Sequence, residues 1–289
     1  MSYGVKMMIW AGLTFAAMNV GVKLVPNIPS SEIVFFRAII SFFISYVIVK
    51  RNKISLWGNN KKVLIMRGLF GTAALMMFFY TLQVMPLASA MVIHYLSPIF
   101  TAILAHFFLK EHLHLRTLFF FGVSFFGILI MKRFDTDLET MDVLLGVGAA
   151  LFSGAAYNCI RFLKQSENSH VIIFYFPMIA FPITLMYTLV FSGWVWPNWQ
   201  ELGILLFIGI LTQIAQYFLT RAYQTEVANK VAAVSNIGVI YAFVIGYFGF
   251  AEVFDWRSIF GMVLVVAGVV LNVVLKPIRN ATKQPSGGS

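Results

Sequence analysis

The sequence predicts an all-α membrane protein whose ten transmembrane helices form two inverted five-helix repeats around a central cavity. Three observations carry that prediction. Only 11% of the 289 residues are charged and 60% are hydrophobic, with a mean hydropathy of +0.85, whereas a soluble domain carries about a quarter charged residues. Ten apolar runs follow one another, several of them reaching the roughly 20 residues that cross a bilayer. The second half of the chain also echoes the first.

The runs can be taken in order. Residues 4–25 hold the apolar stretch Met7 to Val22, with Lys6 before it and no A-x-A-like cleavage site, so they read as a first helix and not as a signal peptide. The break "VPNIPSSE" (25–32) supplies the Pro, Asn and Ser of a turn. Helical runs are then expected over 31–50, 63–83, 87–109 and 115–131. After an acidic loop come 143–163 and 171–192. The next break, "WVWPNWQE" (194–201), clusters tryptophans as an interfacial aromatic belt does. Runs 200–220, 227–250 and 256–276 complete the set, and 277–289 reads as a polar, disordered tail. No soluble domain fits between them.

A shift of 141 residues superposes Glu111 on Glu252, Arg116 on Arg257, Phe107 on Phe248 and Gly127 on Gly268 without a gap. A shift of 139 places "AAMN" (16–19) over "AAYN" (155–158). Two five-helix units result, 4–131 and 143–276. Because five is odd, the second unit enters the membrane from the opposite side. Inverted repeats of this kind build many secondary transporters, with the solute held near the midplane between the halves.

The net charge of +10 invites a nucleic-acid reading, and its distribution argues against one. With the N-terminus inside, the inner ends carry Lys6, Lys50, Arg51, Lys53, Lys61, Lys62, Arg67, Lys110, Arg116, Arg161, Lys164, Arg221, Lys230, Lys276, Arg279 and Lys283. The outer ends carry Lys23, Lys132, Arg133 and Arg257, and Arg37 lies inside the second run. Cations concentrate at cytoplasmic ends, so both termini are expected in the cytoplasm of a cell inner membrane. Lipid headgroups then account for the basic charge. Cys159 is the only cysteine, which excludes an intrachain disulfide.

Several stretches resemble the EamA-type, ten-helix members of the drug/metabolite transporter superfamily. They are "FFRA" (35–38), "RGLFG" (67–71) and "MPLASAMVIHYLSPIFTAILAHFFLKE" (85–111), with the echo of the last ending at Glu252. The resemblance spans about residues 4 to 276. Val239 departs from it, standing where the shift would place a partner for Pro98. What the resemblance implies is a transporter with helices 1–4 and 6–9 around a cavity and helices 5 and 10 bracing them. It implies no particular solute.

Polar side chains at membrane depth face protein or a water-filled cavity. His94, Ser97 and Thr101 share one face of the fourth run. Across the repeat, Ser235 and Asn236 answer His94 and Tyr95. The expected solute contacts are His94, Tyr95, Tyr80, Gln213, Gln216, Tyr217, Asn236, Tyr157, Asn158, Asn19, Trp10 and Arg37. Each has a plainer reading. Ser97 and Thr101 would bond their own helix, Asn19 and Asn158 would bridge helices, and the tyrosines would only pack. Arg37, about 9 Å along its helix from Ser31, would snorkel outward. Glu111 and Glu252, at helix ends, read as caps or interfacial ion pairs.

"KEHLH" (110–114) reads as a solvated loop, not a metal site, because His112 and His114 fall on different faces. No metal and no cofactor is expected. The expected partners are a small-molecule solute and the lipid bilayer, with no nucleic acid, and the oligomeric state stays open. No Asp or Glu lies mid-run, so His94 is the candidate proton carrier. The solute expected is neutral, zwitterionic or anionic, an amino acid or a planar metabolite being of the right kind. An intramembrane enzyme, which needs a catalytic pair or metal cluster, and a channel or scaffold are the alternatives.

Overall fold

A computed structural model of the chain describes residues 2–109, 115–134, 138–164, 166–226, 231, 234–235 and 237–274. The helices within them are α1 (Tyr3–Lys23), α2 (Ser30–Arg51), α3 (Lys61–Val84), α4 (Leu87–His94), α5 (Ser97–Leu109) and α6 (Leu115–Phe134). They continue with α7 (Thr140–Leu163), α8 (Ser169–Tyr187), α9 (Trp199–Thr225), α10 (Ile237–Phe250) and α11 (Trp256–Val274). Among the described residues, eight spans are long and apolar enough to cross a membrane, one of them formed jointly by α4 and α5. Two shorter apolar helices, Ile240–Phe250 and Trp256–Leu271, bring the total to the expected ten. The "KEHLH" group and the tail fall outside the described residues.

The starts of the helices follow from local chemistry. The Asn198 side chain accepts from the Gln200 and Glu201 amides at 2.9 Å each, and Glu201 returns a bond to the Asn198 amide at 2.8 Å. That reciprocal pair satisfies donors which a helix start leaves free. Asn60 and Asn168 cap α3 and α8 with their side-chain oxygens. Beyond Tyr187 the seventh span widens into one π-helical turn, Thr188–Ser192.

The fourth run, expected as one helix, breaks into two. α4 stops at His94 and α5 starts at Ser97. Pro98 has no N–H for the His94 carbonyl four residues back, so the α-helical ladder cannot continue through it.

Helices pair across the two halves: α1 on α9, α3 on α7, α2 on α8, α4 on α10 and α6 on α11. Within the second half and the fourth span, α5 also lies along α7. Small residues let these backbones meet. A Cβ added at Gly127 would come 2.6 Å from the Gly261 carbonyl oxygen, and one at Gly261 would come 2.7 Å from that of Gly127. α6 and α11 therefore touch backbone to backbone. Gly154 of α7 meets the α5 backbone at Phe100 and Thr101 in the same way.

Candidate functional site

Between the halves lies a cavity of about 130 Å³. Among the described residues its walls come from α1, α2, α3, the α4–α5 pair, α7, α8, α9 and the residue Ser235, while α6, α10 and α11 supply none of the lining. Seven of the ten spans thus meet at one space, and the pair joined through Gly127 and Gly261 stands aside from it.

The break in the fourth span places its polar residues here. With the ladder interrupted, His94, Tyr95, Ser97 and Pro98 all reach the cavity wall. The His94 imidazole lies on Phe78, ring centroids 4.1 Å apart and planes 27° from parallel, and its Nδ1 is buried without a hydrogen-bond partner. Asn19 donates to the Met91 sulfur at 3.0 Å, leaving its carbonyl oxygen buried and unbonded. Tyr157 stacks on Tyr223 at 5.3 Å, and both line the space.

Two guanidiniums complete the wall. Arg37 is 2% exposed and lies 5.4 Å from the Phe79 ring and 5.5 Å from that of Phe176. It points inward, not outward as a snorkelling side chain would. Arg67 is 4% exposed, sits 4.5 Å from the Phe176 ring and donates to the Gln216 side-chain oxygen at 3.2 Å. The expectation that Arg67 belongs to a basic rim is therefore corrected. It lies six residues into α3, deep enough for its side chain to turn to the interior.

Of the twelve expected contacts, Asn19, Arg37, His94, Tyr95, Tyr157 and Gln216 line the cavity. Five others lie elsewhere. Trp10 is 55% exposed on the outer side of α1, and Tyr80, 39% exposed, stands beside Asp142. Tyr217 stacks on His170 at 5.8 Å. Gln213 donates to the Ser45 hydroxyl at 2.9 Å, and Asn158 donates to the Thr101 carbonyl at 2.9 Å, the interhelical bridge that was its plainer reading. Asn236 lies outside the described residues. Thr101 also follows its plainer reading, bonding the Ser97 carbonyl of its own helix at 2.7 Å. Among the lining residues not anticipated are Arg67, Phe176 and Tyr223. Among the described residues no cluster of three metal-ligating side chains occurs.

Away from the cavity wall, one carboxylate ties three elements together. Glu252 accepts from the Leu87 amide at 2.7 Å and the Ala88 amide at 3.5 Å, and pairs with Lys23. It joins the end of α1, the start of α4 and the α10–α11 connection. This is the cap and ion pair expected of it.

The sequence model of the EamA-like transporter family matches the chain twice, over residues 2–133 and 140–274. The chain belongs to the EamA-like transporter family. As a member it is a multi-pass membrane transporter and not an enzyme. This EamA-like protein is 31% identical over 270 residues to the pseudopaline exporter CntI of Pseudomonas aeruginosa (strain UCBPP-PA14), covering 92% of this chain and 94% of that one. It is 27% identical over 272 residues to solute carrier family 35 member G1 of Homo sapiens, covering 89% and 74%. A crystal structure only 14% identical superposes with a TM-score of 0.70 over 94% of this chain and 96% of that one, so the EamA-like fold is shared.

Proposed function

We propose that this transporter is a secondary carrier that moves a small neutral, zwitterionic or anionic metabolite by alternating access. The observation that carries the reading is the central cavity. It draws its walls from both halves and mixes amides, tyrosines and guanidiniums, as a solute site between inverted repeats does. That the relative of Pseudomonas aeruginosa is named an exporter supports a small-molecule cargo.

Alternating access in this reading comes from two inverted repeats, 4–131 and 143–276. Matching bonds at the two ends of the bundle support the symmetry. Gln83 donates to the Ile28 carbonyl at 2.8 Å, and Gln224, which the 141-residue shift lays over it, donates to the Glu167 carbonyl at 3.5 Å. Glu32 accepts from the Val195 amide at 3.0 Å, and Glu167 accepts from the Asn59 and Asn60 amides at 2.5 Å each. A shift of 135 carries the pair Glu32 and Asn60 onto Glu167 and Val195, with donor and acceptor roles kept. The helix pairs α1–α9 and α7–α3 exchange under the same operation.

The protein sits in the cell inner membrane with both termini cytoplasmic, a reading that rests on the distribution of cations. His94, Tyr95, Asn19, Tyr157 and Gln216 contact the solute, and His94 is the candidate proton carrier. The test is reconstitution into liposomes with saturable counterflow. A carrier gives overshoot of labelled solute driven by unlabelled solute, and a channel gives none. Reporter fusions at both termini read the orientation.

A further inference from the structure

The mixed lining described above allows three kinds of solute, and two side chains narrow the choice. Arg37 and Arg67 enter from opposite ends of the bundle, roughly 10 Å and 9 Å along their helices at 1.5 Å per residue, and meet at the ring of Phe176. Both line the cavity. Arg37 Nη1 and Arg67 Nε are buried without hydrogen-bond partners. Among the described residues neither guanidinium has a carboxylate within ion-pair distance, and the cavity wall contains no Asp or Glu.

Two like charges buried together cost free energy unless something supplies the opposite sign and accepts their N–H groups. The aromatic faces of Phe79 and Phe176 offset part of that cost, but a ring cannot accept the in-plane N–H bonds that a carboxylate or phosphate takes two at a time. The arrangement is complete only with an anion in place.

We infer that the transported solute is an oxyanion, held by its carboxylate or phosphate oxygens between Arg37 and Arg67 with an apolar part against Phe176. The inference rests on the transport reading and narrows its solute to a charged class. Gln216, bonded to Arg67, is then a positioning residue that keeps that guanidinium turned inward.

The test uses the full-length protein, purified in detergent and followed by thermal unfolding with matched probes. These are propionate against propionamide, succinate against succinamide, and glycerol 3-phosphate against glycerol, with putrescine as a cation. At least one acid should raise the melting temperature while its neutral counterpart does not. Protection by the carboxylates alone or by the phosphate alone names the source of the oxyanion, and protection by both leaves the oxyanion class general. In Arg37→Gln and Arg67→Gln, affinity for that acid should fall about ten- to a hundredfold, as loss of a charged hydrogen bond predicts. Arg67→Lys should restore part of it. The unliganded variants should melt no lower than the wild type, since one of two unpartnered cations has gone.

Equal protection by acid and neutral partner overturns the inference. So do protection by putrescine alone, no protection by any acid, or unchanged acid binding in both variants. A marked fall in unliganded stability of both Gln variants also overturns it, because it would mean the fold already satisfies these charges. Saturable counterflow of succinamide that survives in both variants would sink the inference while leaving the carrier reading intact. Absence of counterflow for every probe, with acid binding retained, would sink the carrier reading instead.

Discussion

The imidazole of His94 lies nearly flat on Phe78, 4.1 Å from ring to ring, at the point where the fourth span breaks. Flat aromatic contact fixes its direction more firmly than a hydrogen bond from a rotating hydroxyl would. Replacing His94 with Ala removes that contact from the cavity wall. The expected result is a several-fold higher KM for counterflow with a smaller change in turnover. The pH profile of uptake adds a second reading: a profile equal to wild type assigns His94 to solute contact alone, and a flattened one makes it the proton carrier.

Glu252 serves three elements at once. Glu252→Ala removes the acceptor of the Leu87 amide and the partner of Lys23. Loss of a charged hydrogen bond at a partly buried site costs about 1.5–3 kcal/mol, so the junction of α1, α4 and the α10–α11 connection should open more often. In a Cys159→Ser background carrying Asn19→Cys, a membrane-impermeant thiol reagent should label the cavity several-fold faster in the Glu252→Ala variant. Equal labelling would show that this carboxylate does not hold that junction shut.

The contact between Gly127 and Gly261 has no room for a side chain. Gly127→Leu should destabilise the protein by about 1–3 kcal/mol, the usual cost of overpacking, read as a lower melting temperature and yield. Because α6 and α11 do not line the cavity, the KM of the surviving protein should match wild type.

Symmetry makes a paired prediction. Glu32→Ala and Glu167→Ala remove equivalent acceptors at opposite ends of the bundle. Glu167 holds two amides at 2.5 Å, and Glu32 holds one at 3.0 Å. Both variants should melt lower than wild type, Glu167→Ala by the larger amount. A larger effect at Glu32 would contradict the bonding described.

Much of the fold was legible because apolar length is a direct physical requirement of crossing lipid. The ten runs and the bracing role of the fifth and tenth helices appear in the structure, while the fourth run proved to be two helices. Half of the expected contacts line the cavity, and those that lie elsewhere share a cause. Gln213 and Gln216 are neighbours on α9 but point about 60° apart, enough for one to reach the cavity and the other Ser45. Trp10 and Tyr80 stand on the correct helices and face away. Residue type gives the cost of burying a group, whereas the direction it takes depends on which neighbour helix lies beside it. Arg67 was misread for a related reason. A count of cations near helix ends treats position along the chain as depth, and a guanidinium on a long stem can turn inward from the same position.

The broken fourth span has a mechanical side. A continuous rod pivots as a whole, so freeing one tip would swing the other. Here the tip held by Glu252 belongs to α4, and the length packed along α7 belongs to α5, with Tyr95 and Leu96 as the elbow between them. The two levers are held by different neighbours, and His94 and Tyr95 at their junction line the cavity. Cargo that presses on the elbow therefore bears on both levers at once, which is the shortest route by which its arrival could be felt at the distant latch.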